Sequence, residues 1–310
     1  MWNAKHWIDQ FEKAARNKNH EMLHNLRREV FLDTVHDVHQ GFYISAKGNR
    51  IVFGSNEAMQ AESQLFQQEL TGNWEKSEKN CTVTVIEEDT LVSAKQIQNP
   101  LVLNMANRHM PGGGVLGGAG AQEEYLFRCS NYFCSLYQFN DIGLSFDVPR
   151  RKESYPLDKN HGGVYSPFVT VFRGPESLGY PKLENPYQIN CVAVSAISNP
   201  PLEKDETSHY WIEKSFIEPT KRKIRTIFRI ALLHQHKNLV LGAFGCGAFK
   251  NPPNHMARLF REVLQEDEFD HCFEQLVFAI LDNHNTHTWF NPEGNLKPFM
   301  QVFTAEERGN

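Results

Sequence analysis

Six short runs of apolar and β-branched residues alternate with helical stretches over most of this chain. The runs are CTVTVIEE, LVLNMA, VTVFR, NCVAVSA, NLVLGAF and QLVFAIL, and they lie between Cys81 and Leu281. Runs of this length and composition are typical of buried strands. Because helical patterns separate several of them, the alternation predicts an α/β sandwich with a largely buried sheet.

The helical stretches have apolar residues spaced by three and four positions. Those after Cys81 are AQEEYLFRCSNYFCSLYQF, then WIEKSFIE and KRKIRTIFRIALLHQH on either side of Pro219, and NHMARLFREVLQE. Residues 140–167 and 180–186 are rich in turn-forming residues and are expected to be surface loops. From Trp7 to Leu70 the pattern is helical. We therefore expect a helical N-terminal extension over residues 1–75, packed on an α/β domain over residues 76–310.

Composition narrows the classes of function. The 310 residues include 32 Lys and Arg against 37 Asp and Glu, a net charge of −5, which argues against general binding of nucleic-acid backbones. The six cysteines form no CxxC pair, which favours a reduced, intracellular protein. We see no signal peptide and no apolar stretch long enough for a membrane span, so we expect a cytoplasmic protein without a membrane partner.

A glycine-rich loop joins the second strand run to the helix that follows it. The loop is PGGGVLGGAG, and the helix begins with AQEEYLF. The three consecutive glycines are Gly112, Gly113 and Gly114. Their missing side chains let backbone N–H groups approach a ligand closely, so we expect this segment to cradle a phosphate or a ribose.

Two acidic residues begin that helix. Glu123 and Glu124 are neighbours in sequence and therefore project about 100° apart, because 3.6 residues make one helical turn. They cannot flank one bond from opposite sides, as the carboxylates of most glycosidases do at separations of roughly 5–9.5 Å. The pair indicates a division of labour in which one carboxylate holds substrate hydroxyls and the other transfers the proton.

The stretch from Asn238 to Gln265 repeats the strand, loop and helix arrangement. Its loop, GCGAFKNPPN, is neither a Walker A loop nor a GxGxxG dinucleotide motif. Backbone amides close to a helix N-terminus can still bind a diphosphate without a cation. Phe249, within the loop, has the flat apolar surface needed to stack on a base or to cover a sugar.

A triglycine followed, after seven intervening residues, by QEE resembles the signature of poly(ADP-ribose) glycohydrolases. The surrounding segment, ANRHMPGGGVLGGAGAQEEYLFRCS, is similar to the microbial type. GAFGCGAFKNPP resembles that family's diphosphate loop, although Lys250 replaces a small residue and no acidic residue follows Asn251. SPFVTVFR, VSAISNP and LVFAILD follow in the expected order, so the resemblance covers most of Arg27 to Phe303. It implies a macrodomain-like three-layer α/β/α sandwich with a mixed central sheet.

The resemblance also implies an activity and its residues. The substrate would be poly(ADP-ribose) or ADP-ribosylated macromolecules, cleaved at O-glycosidic ribose–ribose bonds to release ADP-ribose, without a cofactor or a metal. Glu124 would be the catalytic acid, Glu123 a ligand of ribose hydroxyls and Asn107 a partner of the distal ribose. The other substrate-binding residues would be Gly112, Gly113, Gly114, Gln122, Gly245, Cys246, Gly247, Ala248 and Phe249.

Other interpretations remain open at this point. The chain could be a reader that binds ADP-ribose without turnover, or a hydrolase of mono(ADP-ribosyl) groups; the two glutamates favour an enzyme over a reader. The residues from His20 to His24 match the HExxH zinc motif, with Glu57 as a conceivable third ligand, but a charged helix explains them better. The basic run from Lys221 to Arg225 is interpreted as a solvated helix face rather than a track for a polyanion.

Overall fold

The structure is a computed structural model, and it describes residues 2–78, 80–207, 209–282 and 286–304. Its α-helices are α1 (Ala4–Arg16), α2 (His20–Gln40), α3 (Glu57–Glu62), α4 (Thr90–Lys95), α5 (Gln122–Cys129), α6 (Phe133–Leu136), α7 (Lys214–Leu233), α8 (Pro253–Leu264) and α9 (Leu296–Thr304). Its strands are β1 (Phe42–Ile44), β2 (Arg50–Val52), β3 (Gln64–Phe66), β4 (Thr82–Ile86), β5 (Leu101–Met105), β6 (Gly163–Arg173), β7 (Lys182–Val194), β8 (Leu202–Lys204), β9 (Tyr210–Ile212), β10 (Asn238–Leu241) and β11 (Gln275–Ala279).

The described part of the chain contains one mixed sheet of seven strands, in the order β3-β6-β7-β5-β10-β11-β4. All six predicted strand runs lie in it, which confirms the α/β class. β10 runs parallel to β5 and to β11, and its residue Leu239 lies opposite Leu101 and Leu276. These strands are buried along nearly their whole length, as is typical of parallel strands covered on both faces.

Several local predictions were wrong. The helix expected through residues 58–70 ends at Glu62, where the Ser63 hydroxyl donates to the Met59 carbonyl (2.6 Å), and β3 follows. The helix expected through residues 121–139 breaks at Ser130, which forms an antiparallel bridge with Val171. Residues 163–167 and 182–186, expected in loops, begin β6 and β7, respectively. Each error comes from a contact with a distant segment, which local periodicity does not contain.

Pro219 does not interrupt its helix. It lies inside α7, which runs from Lys214 to Leu233 as one element. A proline there removes one backbone donor, but Ile224 and Ile227 continue the same fully buried face beyond it. Burial of that continuous apolar face outweighs the single missing hydrogen bond.

The packing divides into two compact units. The first comprises Met1–Leu65, Ala106–Pro156 and Val164–Cys191, and the second comprises Phe66–Met105, Leu157–Gly163 and Val192–Asn310. In the first unit, aromatic rings of α2 and α5 form a core: Phe31 lies 6.2 Å from Phe127 between ring centroids. Phe127 in turn lies 5.5 Å from Tyr137. Among the described residues, no helix has the length and apolar character needed to cross a bilayer.

The loop between β5 and α5 packs directly on α2 at Gly118. This residue has φ = +75°, which favours glycine, and a Cβ built there would overlap the backbone carbonyl of His24. Backbone atoms of a packed helix cannot move aside as a flexible side chain can. The close contact between Gly118 and the α2 backbone therefore helps to fix the position of the loop.

We expect Gly118→Ala to lower the free energy of unfolding by about 1–3 kcal/mol, because the methyl group meets backbone and the φ angle becomes strained. Gly117→Ala is the matched control, since a Cβ at Gly117 meets nothing within 4 Å and its φ is not positive. Urea unfolding of the two variants measures the difference. Equal stability of both would contradict this account of the α2 contact.

Candidate active site

The loop from β5 to α5 is organised by Asn107. Its Oδ1 accepts the N–H groups of His109 (2.8 Å) and Met110 (3.1 Å), a side-chain turn that reverses the chain soon after the strand. Gly113 then adopts φ = +53°. This turn carries the triglycine segment back to the first turn of α5.

Glu123 ties the two ends of this loop together. The side chain is 3% exposed. Its Oε2 accepts the N–H of Asn107 (2.7 Å), and its Oε1 accepts the N–H of Gly112 (3.0 Å). Hydrogen bonds to an ionised carboxylate are stronger than neutral ones, and the first turn of a helix also favours negative charge. The carboxylate of Glu123 is therefore fixed in position through both of its oxygens.

Glu124 is held through one oxygen only. The residue is 6% exposed, and its Oε1 accepts the N–H of Gly114 (2.8 Å). Its Oε2 is buried, and no described residue donates to it. Burying an oxygen without a hydrogen-bond partner costs free energy, so such an atom in a folded protein calls for an explanation. The two oxygens of Glu124 are therefore held unequally.

The triglycine amides serve the protein and not a ligand. Gly112 and Gly114 donate to the two glutamates, and Gly113 donates to the Met110 carbonyl (3.1 Å). The three N–H groups expected to cradle a phosphate or ribose thus already have acceptors within the protein. What the glycines provide is space, because a Cβ at Gly113 would collide with Oε1 of Glu124 and lie 3.0 Å from Oε2 of Glu123.

Two tyrosines add to the buried surroundings of Glu123. The hydroxyls of Tyr137 and Tyr155 are buried, and neither has a hydrogen-bond partner among the described residues. The pKa of each is raised, first by burial and then by the negative charge of Glu123. Both phenols therefore stay neutral beside the carboxylate. The sequence carried no recognisable signal for either residue.

A buried cluster of charges braces the same loop at its C-terminal end. Arg128 of α5 donates to the Ala119 carbonyl (2.7 Å) and to the Tyr180 hydroxyl (2.7 Å), which itself donates to Glu176 (2.6 Å). Arg27 of α2 forms a two-point ion pair with Glu176, at 2.9 and 2.8 Å. Because these partners are distant in sequence, no local sequence pattern indicates the cluster.

The charge of Glu124 also acts on Arg27. Burial disfavours its charge, but the hydrogen bonds to Glu176 raise its pKa above the usual value, and the negative charge of Glu124 adds to that effect. Arg27 is thus a fixed positive charge in the electrostatic surroundings of Glu124.

The second predicted loop joins β10 to α8 in the second unit. Three backbone hydrogen bonds close it, from Cys246 to Ala243, Lys250 to Gly247 and Asn251 to Gly245, each 3.0 Å long. Four of its N–H groups donate to no described residue, and they belong to Gly245, Gly247, Ala248 and Phe249. Several backbone N–H groups without protein acceptors, gathered in one loop, are a typical anion-binding arrangement. We refer to residues 245–249 as the amide arch.

The remaining predicted residues have the following places. Gln122 is the half-buried first residue of α5, and Phe249 is half-buried with its carbonyl accepting the Asn199 N–H (2.8 Å). Cys246 is fully buried, and burial raises the pKa of its thiol, so it is not an activated nucleophile.

The structure gives the HExxH match no support as a metal site. His20 and His24 are exposed on α2, and no group of three or more metal-ligating side chains occurs within the described ranges. The basic run on α7 is largely paired with acidic side chains. Lys221 bonds Glu262 (2.8 Å), and Arg225 bonds both Glu218 (2.6 Å) and Glu266 (2.7 Å).

Comparisons with known proteins find one family that is similar in sequence and in fold. A sequence model described as the catalytic domain of microbial-type PARG, poly(ADP-ribose) glycohydrolase, matches residues 32–174, which contain the triglycine loop and both glutamates. A search of curated protein sequences finds no match.

Solved structures extend the likeness beyond that segment. A point mutant of poly(ADP-ribose) glycohydrolase from Thermomonospora curvata is 25% identical, with a TM-score of 0.68 over 89% of this chain and 99% of that chain. The same enzyme bound to the inhibitor ADP-HPD has a TM-score of 0.66 at 25% identity, over 90% and 98%. The enzyme from Deinococcus radiodurans in complex with ADP-ribose is 26% identical, with a TM-score of 0.61 over 83% and 100%.

These structures confirm the predicted macrodomain-like fold. The family match covers the loop in which one glutamate is fixed by two amides and the next has a free buried oxygen. By sequence over residues 32–174, and by fold over most of its length, this chain is similar to the microbial-type poly(ADP-ribose) glycohydrolases.

Proposed function

We propose that this protein hydrolyses the O-glycosidic ribose–ribose bonds of poly(ADP-ribose) and releases ADP-ribose, with a glutamate as general acid and base. The similar structures are of enzymes named for this reaction, and one was solved with ADP-ribose. The observation in this chain that carries the proposal is the buried Oε2 of Glu124, which has no hydrogen-bond partner among the described residues. A reader of ADP-ribose has no need to bury a carboxyl oxygen without a donor.

Glu124 is proposed to act first as the acid. The proton on its Oε2 passes to the leaving 2′-oxygen as the bond from that oxygen to the distal anomeric carbon breaks, and positive charge develops on the carbon. Water then attacks the anomeric carbon, and its proton returns to the Glu124 carboxylate. The Gly114 N–H holds the other oxygen throughout, so the group does not rotate between the two steps.

Glu123 and Asn107 are proposed to position the reacting ribose. Each Glu123 oxygen accepts one backbone N–H, and these two hydrogen bonds hold the carboxylate in the orientation in which it is proposed to contact the ribose hydroxyls. Asn107 uses its Oδ1 in the loop, which leaves its side-chain NH2 to donate to the sugar. Groups fixed in this way align the substrate without reorganising at the moment of reaction.

The second loop is proposed to bind a diphosphate. Four of its N–H groups, at Gly245, Gly247, Ala248 and Phe249, donate to none of the described residues and can supply donors without a cation. Cys246 fits as a small buried residue within the arch, and the ring of Phe249 is proposed to lie against ribose and adenine.

We also propose that the protein works in the cytoplasm and does not bind nucleic acids in general. All six cysteines are free thiols, and burial raises the pKa of Cys134 to about 12. The ion-paired cations of α7, Lys221 and Arg225, are occupied by carboxylates and not presented to a phosphate backbone.

We expect Glu124→Gln to bind ADP-ribose as the wild type does but to lose turnover by a factor of about 10²–10⁴ or more, since the amide cannot donate and regain the proton. Free ADP-ribose released from poly(ADP-ribose) in the presence of EDTA, followed by chromatography, measures this. Glu153→Gln, a change at an exposed glutamate, is the control. Full activity of Glu124→Gln would remove Glu124 from this role, and turnover of mono(ADP-ribosyl) substrates alone would overturn the proposed substrate.

Gly113→Ala tests the space between the two carboxylates. Its Cβ would displace Oε1 of Glu124 and press on Glu123, so we expect kcat to fall by about 10²-fold, a loss typical of a misplaced reacting group. Gly117→Ala, in the same loop but with open space at its Cβ, should keep full activity. If both variants turn over poly(ADP-ribose) equally, the carboxylates do not need the arrangement described here.

A further inference from the structure

Asn251 follows the second loop and precedes α8, and it is 0% exposed. Its side-chain Nδ2 lies within hydrogen-bonding distance of three backbone carbonyls. These are the carbonyls of Ile197 (2.8 Å), Gly245 (3.1 Å) and Phe249 (3.2 Å). One amide group therefore ties both ends of the loop arch to each other and to the segment that follows β7.

The orientation of this amide is fixed by its partners. The opposite orientation would aim Oδ1 at three carbonyl oxygens, which all accept and cannot donate. In the observed orientation Oδ1 is buried, and none of the described residues donates to it. The side chain therefore leaves one acceptor without a partner among the described residues and directs both of its hydrogens toward the three carbonyls.

Two further hydrogen bonds hold the middle of the arch through its carbonyl groups. The carbonyl of Cys246 accepts from the Asn291 side chain (3.4 Å), and the carbonyl of Gly247 accepts from the Lys250 N–H (3.0 Å). In a trans peptide the N–H of the next residue points away from that carbonyl. The N–H groups of Gly247 and Ala248 consequently face away from the protein groups that hold the loop.

We propose that Asn251 is the positioning residue of this loop: by clamping the carbonyls of Gly245 and Phe249, it keeps the free N–H groups of the arch aimed at the diphosphate of ADP-ribose. The inference rests on the proposed function only in naming the ligand. Asn251 does not touch the reacting atoms, and its effect is on binding.

Asn251→Asp is the direct test, because aspartate has the same shape but presents oxygens to three carbonyls. We expect the Kd for ADP-ribose, measured by titration calorimetry, and the KM for poly(ADP-ribose) to rise by about 10–100-fold, as expected when several oriented donors are lost. We expect kcat at saturating substrate to stay within about threefold, because binding and not the chemical step is weakened.

Asn254→Asp is the matched control, since it introduces the same charge three residues further along, at the start of α8. Little change in its Kd, together with weak binding by Asn251→Asp, supports the clamp. Equal weakening of both would show that negative charge alone is responsible and would overturn the proposal, as would unchanged binding by Asn251→Asp.

NMR of the wild type keeps the proposal testable if Asn251→Asp does not fold. The side-chain NH2 protons of Asn251 should exchange slowly, and added ADP-ribose should shift the amide signals of Gly247, Ala248 and Phe249. Rapid exchange at Asn251, or unchanged signals in the arch when ADP-ribose binds, would refute it. These measurements use binding alone, so a protein that binds ADP-ribose but releases none from poly(ADP-ribose) would refute the proposed reaction and leave the clamp standing.

Discussion

The two hydrogen bonds that Glu123 accepts from Asn107 and Gly112 are the interaction on which the candidate site depends. They fasten the end of β5 and the triglycine turn to the first turn of α5. With the loop fixed in this way, Gly114 is in place to hold Glu124, and the glycine at position 113 leaves room for both carboxylates. A carboxylate is suited to this task because charge-assisted hydrogen bonds tolerate burial better than neutral ones.

The two adjacent glutamates are held differently, and this difference underlies the separate roles proposed for them. Glu123 is satisfied at both oxygens and has the buried phenols of Tyr137 and Tyr155 in its electrostatic surroundings. Glu124 is satisfied at one oxygen and influences the pKa of Arg27. Neighbouring carboxyl groups that are held unequally can divide positioning and proton transfer between them, which is how one helix turn can replace the opposed pair of most glycosidases.

The sequence was sufficient to predict the sheet strands and the glycine loops, because those signals are local: apolar runs, consecutive glycines and QEE at a fixed spacing. It was not sufficient for the residues that hold the loops in place. Arg128, Glu176 and Asn251 act on backbone carbonyls or on partners far away in the chain. The same limitation explains the helix break at Ser130, since the strand residue that pairs with it lies some forty positions later. The sequence spacing indicated the two carboxylates, but it could not indicate that Oε2 of Glu124 has no donor among the described residues.

The amide arch of the second loop has a consequence for how such a protein would handle a polyanion. Uncharged N–H donors displace few condensed ions when they take up a phosphate, so their contribution to affinity changes little with ionic strength, unlike that of lysine or arginine clusters. The chain's net charge of −5 also gives a long polymer no general attraction to the surface. Recognition would then be confined to the one ADP-ribose unit seated at the amides, and the rest of the polymer would remain free in solution.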